Sequence, residues 1–460
     1  MKFVAAACAA ELKSGAAHVS VRNACTDSRS VKPGDLFFAI RGDKFDGHDF
    51  LGEVAAKGAA AVVMEAGRVA GLPATFPPSC AVLAVDNVRA AFGRLAAAYR
   101  RDFAPRMTAV GGSNGKTTTK ELIASVLRQK LTTVWSEASF NNDIGVPATL
   151  LRLEHSHQAA VLEAGTNHPG ELAPLVKMIQ PQFGVITSIG REHLEFFNEL
   201  SGVAQEEGWL AELLPAEGTL FINGDSAWAD AIAARAQARV VRVGFGPQND
   251  WRAGKVRLDR SGVTFQVTAP KAEFSGEYRV NLLGRHQVVN ALLAVGSGEE
   301  HGLGRAEIQR GLADCQPPKM RMQFWEAGGV RVLDDCYNAN ADSMRAALDT
   351  LCELPLQGRR VAVLGDMAEL GAQSDAAHEE IGRRAAELKI GQLFTVGARS
   401  AGLARAARAA GLTRVIEFAD ADAATRAVKN FLKPGDVVLL KASRSCRLER
   451  IAESLRSGKP

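Results

Sequence analysis

The chain has 460 residues, 47% apolar and 23% charged, an ordinary balance for a folded protein with more than one core, which excludes disordered and fibrous classes. Its 55 basic and 51 acidic side chains leave a net charge of +4 without the Lys/Arg runs that neutralise a phosphate backbone, so no nucleic acid partner is expected. Seven scattered cysteines without a CxxC pair read as reduced thiols of a cytoplasmic protein, and no stretch approaches the ~20 apolar residues of a membrane span.

The apolar start, FVAAACAA, is cut short by Glu11 and Lys13, so a first helix is expected rather than a signal peptide. A first unit, residues 1–84, closes on the proline-rich stretch 71–78 and a short strand at Ala81–Val85. A helix over Asn87–Arg101 then leads into the next unit. From about residue 106, short β-branched runs alternate with Ala-, Leu- and Glu-rich helical stretches, which predicts an α/β chain with parallel strands covered on both faces. The expected strands are Met107–Val110, Ala159–Glu163, Phe183–Ile189, Gly218–Ile222 and Arg239–Val243, then Arg360–Leu364, Gln392–Val396, Arg414–Phe418 and Asp436–Lys441. The alternating segment 246–278 predicts antiparallel strands beside the first series, and Pro317-Pro318 separate it from the second. Three domains follow: 1–84, a small α/β unit; 85–315, a central parallel sheet; and 316–460, a Rossmann-like domain.

Strand Met107–Val110 runs into Gly111-Gly112-Ser113-Asn114-Gly115-Lys116-Thr117-Thr118 and an amphipathic helix with Leu122, Ile123, Val126 and Leu127 on one face. Glycines let backbone N–H groups approach phosphate oxygens, the helix N-terminus adds partial positive charge, Lys116 adds a full one, and Thr117 offers a hydroxyl to Mg²⁺. The spacing is the compact GxxGKT, because Val110 stands where the longer GxxxxGK[ST] pattern has its first glycine. This P-loop predicts a nucleoside triphosphate site over 112–118, which by itself suits kinases, mechanochemical ATPases and ligases alike. A dehydrogenase is disfavoured, since no GxGxxG follows a strand with an acid at the right distance. Glu163 ends a buried strand, where an unpaired carboxylate needs a cation or donor and where α/β sheets bind ligands.

The glycine-rich loop, followed by Phe140-Asn-Asn-Asp-Ile-Gly-Val-Pro147, Val161-Leu-Glu-Ala-Gly-Thr166, Ile186-Thr-Ser-Ile-Gly-Arg-Glu-His-Leu-Glu195 and Leu283-Gly-Arg-His-Gln-Val-Val-Asn290, resembles the Mur ligases and the related folylpolyglutamate synthases. Within that family, Asp334-Asp-Cys-Tyr-Asn-Ala-Asn340 and Lys441-Ala-Ser-Arg444 resemble the branch that adds D-alanyl-D-alanine to a UDP-N-acetylmuramoyl tripeptide. The Asp-Asn-Pro-Arg signature of the branch adding the third amino acid is not found. The resemblance implies ATP and Mg²⁺, an acyl-phosphate route, and UDP-MurNAc-tripeptide and D-Ala-D-Ala as substrates. A monomer is expected.

The resemblance also implies roles for single residues. Lys116, Glu163, His193 and Arg321 would be catalytic, and Thr117, Glu163 and His193 would face the metal. Gly112, Ser113, Asn114, Gly115, Lys116, Thr117 and Thr118 would hold the phosphates, with His286 and Asn290 near adenine, Arg321 at the phosphates and Asp335 at the ribose. Gln287 stands where asparagine is more usual. Glu207 stands where the family usually places a lysine that becomes a carbamate metal bridge; both groups offer two anionic oxygens to a hard cation, so Glu207 is expected to serve the metal directly. Ser28 and Arg29 are expected at the uridine diphosphate, and Asn141, Asn142, Asn338, Asn340 and Arg444 at the peptide or dipeptide.

Overall fold

The apolar runs expected to be strands assemble into three sheets in this computed structural model, which describes residues 1–73 and 76–457. Positions 74 and 75 of the proline-rich 71–78 stretch, and 458–460 of the expected last domain, lie outside the described residues.

The first sheet has the strand order Glu11–Ser14, Ala81–Val85, Ala61–Glu65, Leu36–Phe38, Ala24–Cys25, parallel apart from the first strand. Helix Val88–Arg100, expected to lead away from this unit, instead turns Val88, Ala91, Phe92 and Leu95 into its core and gives Ala96 to the next one. Its first turn is capped by the Asn87 side chain, which accepts from Ala90 N–H at 2.8 Å.

In the second sheet, Thr133–Trp135, Ala159–Glu163, Arg106–Gly111, Phe183–Ile186, Thr219–Asn223 and Arg239–Gly244 run parallel in that order. Trp251–Leu258 joins them in parallel, and Val263–Thr268 and Gly276–Val280 extend the edge antiparallel. Ala159–Glu163 is buried throughout, as a strand covered on both faces must be. Helices Lys116–Leu127, Gln287–Glu300 and Arg305–Asp314 pack on one face and Leu172–Ile179 on the other. Strand Arg106–Gly111 lies between two strands that follow it in the chain, so the chain turns both ways from its carboxyl end, where such sheets open a crevice.

The third sheet has the order Gln323–Ala327, Val330–Asp334, Val437–Lys441, Arg360–Gly365, Gln392–Val396, Val415–Phe418, with only Gln323–Ala327 antiparallel. Leu194, Phe197, Val203 and Leu283 of the central domain enter the core beneath it, so the two domains share an apolar seam. Among the described residues no helix is long and apolar enough to cross a membrane.

Candidate functional site

The loop after Arg106–Gly111 depends on glycine at two points. Gly112 and Gly115 have φ of 107° and 91°, and a Cβ would come within 2.5 Å of Thr187 Oγ1 at the first and 2.6 Å of Asn290 Oδ1 at the second. The loop is stitched to the segment after Phe183–Ile186: Ser113 N–H donates to the Ser188 carbonyl at 2.7 Å and Gly190 N–H to Ser113 Oγ at 2.8 Å. That diversion is why the strand stops at Ile186, short of the expected Ile189.

Lys116 begins helix Lys116–Leu127. Its Nζ donates to the carbonyls of Gly112 and Ser113 and stands 3.4 Å from Glu192 Oε2. Burial works against its charge, but the carboxylates of Glu192, Glu207 and Glu163 outweigh that and raise its pKa. Glu163 Oε1 accepts from Asn141 Nδ2 at 2.8 Å, and Glu207 Oε2 accepts from Gly112 N–H at 2.6 Å. Burial holds the Glu207 carboxyl above the usual carboxylate range in spite of nearby Lys116.

Each of these three carboxylates keeps one buried oxygen without a hydrogen-bond partner: Glu163 Oε2, Glu192 Oε1 and Glu207 Oε1. Three acids against one lysine, with orphaned oxygens, suit a divalent cation. Among the described residues no group of three or more His, Cys, Asp or Glu is gathered closely enough to hold a metal alone. The orphaned carboxylate oxygens beside the loop fit a hard cation such as Mg²⁺, which takes one or two carboxylates together with phosphate oxygens and water.

Opposite this wall stands the C-terminal domain, and the two enclose a cleft of about 790 Å³. Arg321 lies over the Tyr337 ring at 4.2 Å and donates to Ser139 Oγ at 3.2 Å; the same hydroxyl is 3.2 Å from Thr117 Oγ1. Asp335 accepts from Lys441 Nζ at 2.5 Å and from Met322 N–H at 3.1 Å. Asn340 caps helix Ala341–Glu353 and donates to Asn114 Oδ1 at 2.9 Å, joining the two walls at the loop itself. On the central side, Gln287 donates to His286 Nε2 at 3.0 Å and accepts from Asn290 Nδ2 at 2.9 Å, while burial drops the His286 pKa to about 4.

The cleft thus gathers Ser113 to Thr118, Asn141, Glu163, His193, His286, Asn290, Arg321, Asp335, Asn338 and Asn340. Asn142 also borders it, with its side chain accepting from Gly145 N–H at 2.9 Å, and so does Arg444, which pairs with Glu449 at 3.1 Å. Gly112, at the base of the loop, and Glu207, beneath it, do not line the cleft. Ser28 and Arg29 belong to the N-terminal domain away from it, Ser28 buried and Arg29 exposed beside Asp27 at 2.7 Å. Sequence reasoning passed over Glu192, Ser139, Tyr337 and Glu369. All but Glu369 fall within or beside the motifs that were singled out, and the adjacency of Glu192 to His193 was the available signal.

Three family models match the chain: the Mur ligase family catalytic domain over residues 20–100, the Mur ligase middle domain over 110–298, and the Mur ligase glutamate ligase domain over 320–444. The chain is 35% identical over 449 residues to the UDP-N-acetylmuramoyl-tripeptide–D-alanyl-D-alanine ligase of Escherichia coli (strain K12), covering 95% of this chain and 94% of that protein. Among solved structures, MurF from Acinetobacter baumannii is similar with a TM-score of 0.88 and 30% identity, covering 99% of this chain and 98% of that one. The MurF ligase from Thermotoga maritima in complex with ADP shares the fold, with a TM-score of 0.81 and 24% identity over 96% of this chain and 98% of that one. With that breadth of likeness across all three domains, the chain belongs to the Mur ligase family.

Proposed function

We propose that this chain joins D-alanyl-D-alanine to UDP-N-acetylmuramoyl-tripeptide, with ATP cleaved to ADP and phosphate. The observation that carries this reading is the facing of Lys116 and Glu163 on one wall by Arg321 and Asp335 on the other, across a cleft of about 790 Å³. A switch protein needs the first wall, but a ligase must also hold an acceptor and a second substrate beside the phosphates.

The terminal carboxylate oxygen of the tripeptide attacks the γ-phosphorus and ADP leaves, giving an acyl phosphate. The dipeptide amine nitrogen then attacks the acyl carbon, the bond to phosphate breaks and the amine loses a proton. Lys116 and Arg321 offset the charge on the transferred oxygens, while Ser113 to Thr118, set by the turn at Gly112, cradle the phosphates and His286, Asn290 and Asp335 hold the nucleoside. Thr117, Glu163 and His193 would face Mg²⁺, with Glu207 behind the loop; bound there, the cation neutralises phosphoryl charge. Ser28 and Arg29 would meet the uridine diphosphate at the far end of a long substrate, and Asn141, Asn142, Asn338, Asn340 and Arg444 the peptide end and the dipeptide.

Domain limits near 84 and 315 are proposed, with helix Val88–Arg100 bridging the first limit because it packs on both neighbouring cores. A cytoplasmic monomer is proposed as well; all seven cysteines are free, as in a reducing compartment. The test is incubation with ATP, Mg²⁺, UDP-MurNAc-tripeptide and D-Ala-D-Ala, read by mass spectrometry. The extended UDP-linked pentapeptide is expected with the dipeptide and not with single amino acids; folded protein that makes no such product rejects the assignment.

A further inference from the structure

His193 is the N-terminal cap of the short helix Leu194–Phe197 and has φ of 50°, a left-handed conformation that a non-glycine residue keeps only when its surroundings hold it. Facing it from the C-terminal domain is Glu369, with φ of 60°. Glu369 Oε2 lies 2.5 Å from His193 Nδ1, and the Glu369 carbonyl accepts from Glu195 N–H at 3.0 Å. The next turn of that loop presses equally close, since a Cβ on Gly371 would be 3.0 Å from Glu195 Cα. Loops from two domains are thus joined twice, by the Glu195 to Glu369 backbone bond and by the His193 ring against the Glu369 carboxylate.

A carboxylate at Nδ1 sets the imidazole tautomer with the proton on that nitrogen, which leaves the Nε2 lone pair for a ligand. Both side chains border the nucleotide cleft, and among the described residues His193 has no other hydrogen bond to orient its ring. We infer that Glu369 is the positioning residue of His193, and that through this contact cation affinity is linked to docking of the C-terminal domain. The inference rests on the reading of His193 as a metal-facing residue. Since Glu369 arrives from the other domain, the ring is fixed only when the domains meet, and a cation that prefers the fixed ring favours the docked arrangement by the same factor.

The probe is Mn²⁺ with a non-hydrolysable ATP analogue bound to the full chain, with free Mn²⁺ read by electron paramagnetic resonance. Glu369→Ala is expected to weaken Mn²⁺ binding by about tenfold or more, the usual effect of losing a carboxylate behind a metal-binding histidine. Glu369→Gln, whose amide oxygen still accepts from Nδ1–H, should recover most of that loss. Asp342→Ala, which weakens domain docking away from the ring, should shift Mn²⁺ affinity in the same direction. If Glu369→Ala binds Mn²⁺ within about twofold of wild type while His193→Ala does not, the inference falls and the metal reading stands. If His193→Ala itself binds normally, it is the metal reading that falls. Equal losses in the Ala and Gln variants, with melting temperatures lowered in parallel, would make Glu369 merely structural and overturn the inference; an unchanged Asp342→Ala would overturn the linkage.

Discussion

Glu207 is a buried acid that grips the backbone of the phosphate loop, since its Oε2 accepts from Gly112 N–H at 2.6 Å. Glu207→Ala would leave that N–H buried and unpaired, a loss of about 1–3 kcal/mol on denaturant unfolding. Glu207→Gln keeps an acceptor there and should retain most of the stability while losing the charge that faces Lys116, so its defect should appear in turnover and Mg²⁺ dependence. Because glutamate already supplies two anionic oxygens, added bicarbonate should leave the wild-type rate unchanged, and stimulation would rule out the role given to Glu207. Residues of the loop itself were legible because glycine, lysine and threonine have few other reasons to follow a buried strand in that spacing. Ser139 and Glu369 were not, because each acquires its meaning from a partner more than 170 residues away, Arg321 for the first and His193 for the second.

Three helices behind the loop pack through small residues: a Cβ on Gly311 would meet Val126 Cα at 2.4 Å, and one on Gly298 would meet Val126 Cγ1 at 2.7 Å. His301 closes helix Gln287–Glu300, bonding through Nδ1 to the Ser297 carbonyl at 2.7 Å and packing tilted against the Phe183 ring at 4.4 Å. Burial drops its pKa from 6.5 to about 4. The unfolded chain therefore takes up a proton near pH 6.5 that the folded chain refuses until about pH 4. The stability held above pH 6.5 is lost as pH falls through that window, by roughly 3 kcal/mol at most. His301→Gln, which keeps a donor for Ser297 but does not titrate, should flatten the fall of melting temperature between pH 7 and about 4.5; an unaltered slope would mean other groups dominate. Strands of the parallel sheets were legible from continuous apolar runs, Ala159–Glu163 and Gln392–Val396 to the residue. Leu36–Phe38 and Ala24–Cys25 are too short to carry a period. The hairpin Gln323–Ala327 with Val330–Asp334 was missed although its signal was present: Gly328 and Gly329, with φ of 58° and 76°, supply the two left-handed positions such a turn needs.

At the scale of the whole molecule the nucleotide site is halved between two domains, so what holds them together governs whether the site exists. Besides the apolar seam and the Asn340 to Asn114 contact, Arg191 is gripped by Asp342 at 2.7 Å and Glu380 at 2.5 Å from the C-terminal domain, and Asp342 also accepts from its backbone N–H at 2.9 Å. The Glu380 hydrogen bond, ahead of those from Asp342, raises the Arg191 pKa in spite of partial burial. Charge-assisted contacts of this geometry contribute about 1–3 kcal/mol where solvent is partly excluded. Arg191→Ala removes them and leaves Asp342 and Glu380 sharing only Arg345. The balance should shift toward separated domains by about tenfold, since ~1.4 kcal/mol is a factor of ten. Small-angle scattering should then give a larger radius of gyration, and turnover should fall together with apparent nucleotide affinity, because Lys116 and Arg321 would meet the same phosphates less often. A variant with wild-type scattering and wild-type turnover would mean that the apolar seam and the contacts of Asn340 and Glu369 dock the domains without Arg191.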